Sequence, residues 1–347
     1  MTRNTSFLQK FGAVKRQAIE VSQETLVSIK PLLPDRSFPV CIEPTVPGVN
    51  LLAWATQNQA LIETQLLQGG ILFRNFQTTG ITEFQQVIAA TSKELMQYTY
   101  CSSPRTQVQG DIYTSTEHPA DQTICMHNEM SYFRDWPMKI WFYCTIPAAE
   151  GGQTPIADSR EFTKRLNPSI QEEFRRKQVM YVRNFQEGID IPWQVAFHTR
   201  DKAAVEDYCR QAGIEFEWVK SNHLRTRQIC QSHAVHPQTG DEVWFNQADL
   251  FHVSRMEPEA RKSLLSVFSE ADLPRNTYYG DGSPIPDEVI AEIIETHQQE
   301  AVVFPWQAGD VVMLDNMLAS HGRDPFVGPR KVVVGMAEAF SAANRQA

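Results

Sequence analysis

Strand-like and helix-like segments follow one another in this 347-residue chain without the regular strand–helix–strand alternation of a parallel sheet. The segment KIWFYCTI, residues 139–146, is a continuous apolar run of strand length, which indicates a strand buried on both faces. Three more strand-like segments close the chain: AVVFPW, DVVMLDN and RKVVVGMAEAF. This order predicts a mainly β fold with inserted helices, built on a largely antiparallel sheet. We predict a double-stranded β-helix, or jelly roll.

Helical patterns occupy much of the space between the strands. They include LLAWATQNQALIETQLL, TEFQQVIAATSKELM and two pieces of SREFTKRLNPSIQEEFRRK that divide at Asn167–Pro168. Residues 1–50 are irregular and punctuated by prolines, and we expect them to wrap around the body of the protein. No internal repeat or low-complexity linker appears. We therefore predict a single domain over residues 1–347.

Charge and cysteine usage limit the partners and the compartment. The chain has 32 Lys and Arg against 41 Asp and Glu, a formal charge of −9, which argues against nucleic acid and anionic membrane as partners. No segment approaches the roughly 18 apolar residues of a membrane span, and the N-terminus has no apolar signal region. The six cysteines are scattered without a C-x-x-C pair, which indicates reduced thiols and a cytoplasmic location.

Polar residues interrupt a strand-like stretch at CMHNEMSYF, residues 125–133. Because successive side chains of a strand alternate between its two faces, His127 and Glu129 are expected on the same side. Such a pair can contribute two ligands to a metal ion. The alternative is a core histidine that is hydrogen-bonded to a neighbouring carboxylate, and a third ligand is needed to decide.

The best candidate for that third ligand is His321, in DNMLASHGRDPFVGPRKVVVG, soon after an apolar strand. Two histidines and one carboxylate occupy one face of an octahedral metal ion and leave its other positions open, as in nonheme Fe(II) oxygenases. No thiolate belongs to the set, which argues against a structural zinc site. His127, Glu129 and His321 together therefore predict an Fe(II) centre.

With these motifs the sequence resembles the taurine dioxygenase (TauD/TfdA) family of Fe(II)/2-oxoglutarate-dependent oxygenases, especially its clavaminate synthase-like and syringomycin-type aspartyl hydroxylase branch. The resemblance runs from GGILFRNF to RKVVVGMAEAF and implies the jelly-roll fold. It implies that His127, Glu129 and His321 are the iron ligands. It also implies that Thr154, in GGQTP, and Arg330 contact the distal carboxylate of 2-oxoglutarate, with O2 as the other cosubstrate.

The role implied for Arg330 has a physical reason. A dicarboxylate that chelates iron with one end needs its other end neutralised in a dry pocket, and a guanidinium offers two parallel donors and a permanent charge. The alternatives are a solvated Arg330 in the VGPRK turn and a Thr154 that serves only as a turn residue after Gly151–Gly152. Arg323 could stack near the iron or pair with Asp324, and the sequence leaves both roles open.

The resemblance implies that decarboxylation of 2-oxoglutarate to succinate and CO2 is coupled to hydroxylation of an unactivated C–H bond. Related halogenases have a small residue where this chain has Glu129, so hydroxylation or desaturation is favoured. Two other classes compete. One is a zinc hydrolase, although the chain lacks H-E-x-x-H, and the other is a jelly-roll binding protein without turnover.

The motifs HNEMSY, GGQTP and HGRDPF imply a small-molecule substrate, an amino acid or amino acyl group used in natural-product biosynthesis, with another small organic acid as the alternative. Gly335 supplies no cation where relatives often hold the acidic group of a free substrate. The acid would then be masked, for example on a carrier protein, unless Arg105 or Arg323 holds it. The oligomeric state is not predicted.

Other conspicuous residues have structural interpretations. His233 and His236 lie beside a hairpin turn and are not expected to share a metal ion. His297 lies in a helix rich in Glu and Gln and is expected to face solvent. An aromatic group is expected in the core rather than around a substrate: Trp136, Trp141, Phe142 and Tyr143.

Overall fold

The computed structural model of the protein describes residues 26–96, 106–114, 118–186 and 191–341. The strands, in chain order, are β1 Val27–Pro31, β2 Val40–Pro44, β3 Gly70–Phe73, β4 Gln107–Gln109, β5 Ile112–Thr114, β6 Ile124–His127, β7 Asp135–Ile146, β8 Glu150–Gly151, β9 Ile156–Asp158, β10 Val179–Phe185, β11 Glu215–Lys220, β12 His223–Cys230, β13 His233–Val235, β14 Glu242–Trp244, β15 Arg275–Tyr279, β16 Val311–Asp315, β17 Ala319–Arg323, β18 Phe326–Val327 and β19 Lys331–Ser341.

The helices are α1 Leu51–Gln57, α2 Gln59–Leu66, α3 Ile81–Thr91, α4 Ser159–Arg165, α5 Pro168–Lys177, α6 Trp193–Ala196, α7 Lys202–Gln211, α8 Ala248–Phe251, α9 Pro258–Val267 and α10 Asp287–Glu300. The predicted division at Asn167–Pro168 is confirmed. Asn167 accepts the backbone N–H of Ser169 through its side chain, and the proline occupies the first turn of α5, where its missing N–H costs nothing.

The largest sheet has the strand order β1-β2-β3-β16-β7-β19-β5-β4, and its neighbours are antiparallel except for the parallel pair of β2 and β3. β7 lies between β16 and β19, and its apolar run is buried on both faces as predicted. Lys139 lies within that run. Its ammonium pairs with Glu63 and, at 2.8 Å, with Glu338, which offsets the cost of burying a charge.

A three-stranded sheet, β6-β17-β9, faces the large sheet. An apolar cluster fills the space between them and includes Phe142 from β7, Ile156 from β9, Val312 from β16 and Val334 from β19. Each fully buried side chain of this size contributes roughly 1.5–3 kcal/mol to folding. The two facing sheets form the predicted jelly roll.

The structure corrects two expectations about the chain's periphery. Residues 1–25 lie outside the described residues, but residues 26–50 are not irregular, because β1 and β2 extend the large sheet beyond β3. The segment AVVFPW does not form a strand. Only Val302 makes an isolated bridge, to Ile156, since Pro305 has no N–H with which to continue a ladder.

Between β9 and β16 the chain forms an insert that covers the small sheet. It contains a four-stranded sheet, β11-β12-β10-β15, and the helices α4 to α10. A second apolar cluster joins its elements and includes Phe162 from α4, Leu224 from β12 and Ile293 from α10. The insert places α8 and α10 beside β6.

Buried groups elsewhere agree with the sequence. The four aromatic residues expected in the core are all buried. The cysteines within the described ranges are free thiols: Cys41, Cys125, Cys144, Cys209 and Cys230. Among the residues that the structure describes, no helix is both long and apolar enough to cross a membrane.

Candidate iron and 2-oxoglutarate site

Neighbouring strands of the small sheet bring the three predicted metal ligands together. His127, at the end of β6, is the register partner of His321 on β17, and their ring centroids lie 4.5 Å apart. Glu129 follows in the turn after β6, and its Oε2 is 3.9 Å from Nε2 of each histidine. The three ligand atoms lie within 4.8 Å of one another. Within the described ranges, no other set of His, Cys, Asp or Glu side chains has this spacing.

The separation of these groups fits a metal ion better than a hydrogen-bonded core histidine. At 3.9 Å the carboxylate is too far from either imidazole nitrogen for a hydrogen bond. The Nδ1 atom of His127 lies 2.8 Å from the carbonyl oxygen of Cys125, which can only accept, so Nδ1 carries the proton. The bare Nε2 then points towards Glu129, as metal-ligating histidines require.

The backbone around Glu129 is held by Asn316, which follows β16. Its Oδ1 accepts the N–H of Glu129 at 2.7 Å, and its Nδ2 donates to the carbonyls of Glu129 at 2.9 Å and Pro137 at 2.8 Å. Asn128 donates in turn to the carbonyl of Asn316 at 2.7 Å. Sequence reasoning missed Asn316, for which the signal was a polar amide directly after a buried apolar strand.

The two predicted 2-oxoglutarate residues also meet. Arg330 precedes β19, and its Nη2 lies 3.4 Å from Oγ1 of Thr154, while its Nε donates to the carbonyl of Gly152 at 2.8 Å. Trp306 donates to the same Thr154 oxygen at 3.0 Å. Thr154 is buried, so its hydroxyl is fixed by these two neighbours. The part played by Trp306 was not foreseen, because Trp306 is the last residue of AVVFPW, the segment that was predicted to be a strand.

The electrostatics of Arg330 favour an anionic ligand. No carboxylate among the described residues pairs with it, and burial beside Arg323 lowers its pKa to about 10, which leaves it charged at neutral pH. A partly buried cation without a counter-ion is unfavourable, and a bound carboxylate would neutralise it through charge-assisted hydrogen bonds. Gly152 makes room for this side chain, because a Cβ there would lie 3.0 Å from Cδ of Arg330 and the residue has φ +69°.

Arg323 donates to backbone carbonyls rather than pairing with Asp324. Its guanidinium binds the carbonyl oxygens of His118, Pro119 and Gln122 at 2.6 to 2.9 Å, and it lies 5.2 Å from the ring of Phe326. These contacts give acceptors to both Nη atoms of a buried guanidinium, while its Nε has no hydrogen-bond partner among the described residues. Arg323 therefore ties the segment before β6 to the end of β17.

Gly335 does not face the site. A Cβ at this position would lie 2.4 Å from Cδ1 of Ile88, on the side of the large sheet that α3 covers. Val334, four residues after Arg330, instead belongs to the cluster between the two sheets. No cation projects into that space from either position. Arg105, the other candidate for holding a substrate acid, lies outside the described residues.

The expectation that His297 faces solvent is wrong. The side chain is 7% exposed and stacks on Phe162 with 4.0 Å between ring centroids, because this face of α10 packs against α4. Burial lowers the pKa of His297 to about 3, so the ring is neutral at physiological pH. His236 pairs with Asp315 at 2.9 Å instead of sharing a metal ion with His233.

The fold, the three candidate metal ligands and the Thr154–Arg330 pair together define an Fe(II)/2-oxoglutarate-dependent oxygenase. Residues 28–336 match the family described as taurine catabolism dioxygenase TauD, TfdA family, and the chain belongs to that family. It is an enzyme that uses Fe(II), 2-oxoglutarate and O2 and acts on a small molecule.

Two relatives and one solved structure illustrate the similarity. The chain is 42% identical to the dapdiamide synthesis protein DdaC of Enterobacter agglomerans over 269 residues, which cover 78% of this chain and 82% of that protein. It is 28% identical to a clavaminate synthase-like protein of Arabidopsis thaliana over 325 residues, covering 87% and 94%. The fold resembles that of PvcB from Pseudomonas aeruginosa, with a TM-score of 0.56, 15% identity and coverage of 94% and 96%.

Proposed function

We propose that His127, Glu129 and His321 bind the catalytic Fe(II) and that Thr154 and Arg330 bind the distal carboxylate of 2-oxoglutarate. The observation that carries this proposal is the convergence of the three ligand atoms within 4.8 Å at the end of β6. Two imidazoles and one carboxylate leave the remaining positions of an octahedral ion open for cosubstrate and oxygen.

The residues of this chain would do the positioning while the bound metal supplies the oxidising chemistry. Thr154 and Arg330 offer a hydroxyl and a guanidinium to one carboxylate, and Trp306 orients the hydroxyl. The apolar cluster between the sheets, which includes Phe142 at 5.0 Å from the ring of His321, limits the access of water to the metal centre. Such a dry pocket strengthens each charged contact within it.

The reaction is hydroxylation of an unactivated C–H bond in an amino acid or amino acyl substrate during natural-product biosynthesis, with release of succinate and CO2. The similarity to a protein named for dapdiamide synthesis supports this assignment. Glu129 fills the third ligand position and so supports hydroxylation rather than halogenation. Desaturation, or the use of another small organic acid, is the alternative within the same class.

Three further parts of the proposal concern the whole chain. A single oxygenase domain over residues 1–347 is supported by the family match, which covers most of that length. A cytoplasmic location is supported by the free cysteines of the described ranges. If the acidic group of the substrate is masked, the proposal is that a carrier protein presents the substrate to the enzyme.

Anaerobic titration with Fe(II) and 2-oxoglutarate, followed by measurement of succinate, tests the proposed site. Alanine at His127, Glu129 or His321 should abolish succinate release and weaken Fe(II) binding by more than about 100-fold, because each variant removes a direct ligand. Glu161→Ala, on the exposed face of α4, is the matched control and should behave as wild type. Wild-type activity of His321→Ala at limiting iron would show that the ligand assignment is wrong.

A catalytically silent binding protein is the alternative from another class. It would bind 2-oxoglutarate without releasing succinate under any substrate condition. A zinc hydrolase would not use 2-oxoglutarate at all, and it gives no role to the partly buried cation Arg330. Metal analysis combined with the succinate assay therefore separates these three functions.

A further inference from the structure

A cavity of about 400 Å³ lies beside β6, between that strand and the helices α8 and α10 of the insert. Its wall includes Cys125 from β6, Asp249 from α8, Arg255 and, from α10, His297 and Gln298. The iron and 2-oxoglutarate residues described above are not among those that line it. Its volume lies within the range of pockets that bind small molecules.

The cavity is adjacent to the metal centre. Cys125 precedes His127 by two residues on the same strand, so their side chains project from the same face, and their Cα atoms are separated by roughly 7 Å. The guanidinium of Arg255 contacts the sulfur of Cys125, and the carbonyl of Cys125 accepts from the ring of His127. A ligand in contact with Arg255 would therefore lie next to a proposed iron ligand.

Three charged side chains line the cavity, the carboxylates of Asp249 and Asp324 and the guanidinium of Arg255, and none of them forms an ion pair with another. Asp249 is 3% exposed, and neither its carboxylate nor the guanidinium of Arg255 forms an ion pair with any residue in the described ranges. Burial raises the pKa of Asp249 to about 6, although Arg255 opposes the rise, so the carboxylate is still mainly ionised at neutral pH. A buried, ionised carboxylate without a cationic partner favours a ligand that brings one.

One polar atom in the cavity wall, on His297, has no hydrogen-bond partner among the described residues. Nδ1 of His297 is buried and makes no hydrogen bond to any of the described residues. The residue as a whole is only 7% exposed. The ring is neutral, so it adds a polar group without adding charge. Buried polar groups are nearly always hydrogen-bonded, and those that are not call for a water or a ligand.

We infer that this cavity binds the α-amino and α-carboxylate groups of a free amino acid, which is the substrate of the neighbouring iron centre. Asp249 receives the ammonium group and Arg255 the carboxylate, and the side chain of the substrate is directed towards His127. The inference rests on the proposed function. It selects the free amino acid over the carrier-bound form, because a thioester has no carboxylate for Arg255 to bind.

Derivatives that remove one charge at a time provide the test. Full-length enzyme with Fe(II) and 2-oxoglutarate is incubated with the twenty proteinogenic L-amino acids, their methyl esters, their N-acetyl derivatives and their N-acetylcysteamine thioesters. Succinate release and products heavier by 16 Da are measured. We expect at least one free amino acid to stimulate succinate release. Each of its derivatives should stimulate release about tenfold to a hundredfold less, because it has lost one charged hydrogen bond.

Two variants then assign each charge to its residue. Asp249→Asn should raise KM for the free amino acid about tenfold or more and leave KM for the N-acetyl derivative unchanged. Arg255→Gln should do the same for the free amino acid and leave KM for the methyl ester unchanged. In both, KM for 2-oxoglutarate and Fe(II) affinity should stay at wild-type values. Arg261→Gln is the matched control, because Arg261 pairs with Asp287 outside the cavity.

The possible failures are distinguishable. Equal activity of esters or thioesters and free amino acids, or an unchanged KM in both variants, would overturn the assignment of the cavity and leave the oxygenase intact. Iron and 2-oxoglutarate binding without stimulation by any amino acid would overturn the substrate class. Failure of the wild-type enzyme to bind Fe(II) and 2-oxoglutarate would instead contradict the proposed function.

Discussion

The side chain of Asn316 and the backbone of Glu129 form a two-point hydrogen-bonded pair, with the asparagine oxygen accepting at 2.7 Å and its nitrogen donating at 2.9 Å. Asn316 is fully buried, and Met130, the next residue after Glu129, has φ 58°. A non-glycine residue in this left-handed region is held there only when its surroundings fix it. The pair therefore sets the path of the chain that directs the Glu129 carboxylate towards the two histidines.

Asn316→Asp should weaken Fe(II) binding by about 10- to 100-fold, because a carboxylate cannot donate to the carbonyls of Glu129 and Pro137. Anaerobic Fe(II) titration measures the loss. Urea unfolding of the metal-free protein provides the control. A fall in metal affinity no larger than the fall in folding stability would show that Asn316 stabilises the fold without positioning the ligand.

Arg330→Ala should raise KM for 2-oxoglutarate by an amount equivalent to about 2–5 kcal/mol, because the distal carboxylate would be left buried without its cation. Arg330→Lys should recover only part of this loss, since an ammonium lacks the planar fork of a guanidinium. Steady-state kinetics at saturating substrate measures both. Lys331→Ala, at the exposed neighbouring position, is the control. An unchanged KM in Arg330→Ala would transfer the role to another cation.

Trp306→Phe should raise KM for 2-oxoglutarate about 2- to 10-fold, which corresponds to the loss of one neutral hydrogen bond. The indole N–H donates to Thr154 at 3.0 Å, and phenylalanine keeps most of the apolar contact with Phe304. Thr154→Val removes both the acceptor and the hydroxyl offered to 2-oxoglutarate, so Trp306→Phe should have no further effect on KM in the Thr154→Val background. Fully additive effects would mean that the two side chains act independently.

Acidification should destabilise the protein partly through His297. Its pKa is lowered to about 3 in the folded state, against an ordinary value of about 6.5, so between these values the unfolded chain binds a proton that the folded protein does not. The free energy of unfolding therefore falls as pH decreases through this window, by up to about 1.4 kcal/mol per pH unit from this group.

His297→Phe removes that contribution while keeping a ring against Phe162. Urea unfolding between pH 7 and pH 4 should give the variant a shallower pH dependence than wild type, by one proton. His233, whose pKa is lowered to about 4, remains in both proteins and contributes equally. Parallel curves for the two proteins would contradict the assignment to His297.

The sequence by itself determined the elements whose signals are local. The apolar run of β7 and the division between α4 and α5 follow from periodicity and proline. The pairing of His127 with Glu129 was expected from strand alternation, but β6 ends at His127 and the turn that follows, not the strand, places Glu129. His321 became a candidate through its position soon after an apolar strand. Thr154 and Arg330 became candidates through the resemblance to a family, because their spacing along the chain has no local physical signature. The structure brings the three metal ligands together and, as a separate pair, brings Arg330 next to Thr154.

Only the tertiary structure decided what depends on contacts between distant segments. His297 was assigned to solvent from the polarity of its helix, but packing of α10 on α4 buries it. A surface helix turns one face to the core even when its average composition is polar. Asn316 and Trp306 became visible only when β16 and the segment before it were placed against Glu129 and Thr154. Asp249 and Arg255 are close in sequence, yet nothing local indicates that they share a cavity with Cys125, more than a hundred residues earlier in the chain. Pairing across such separations is set by sheet register and by packing of the insert, and neither leaves a pattern in the residues themselves.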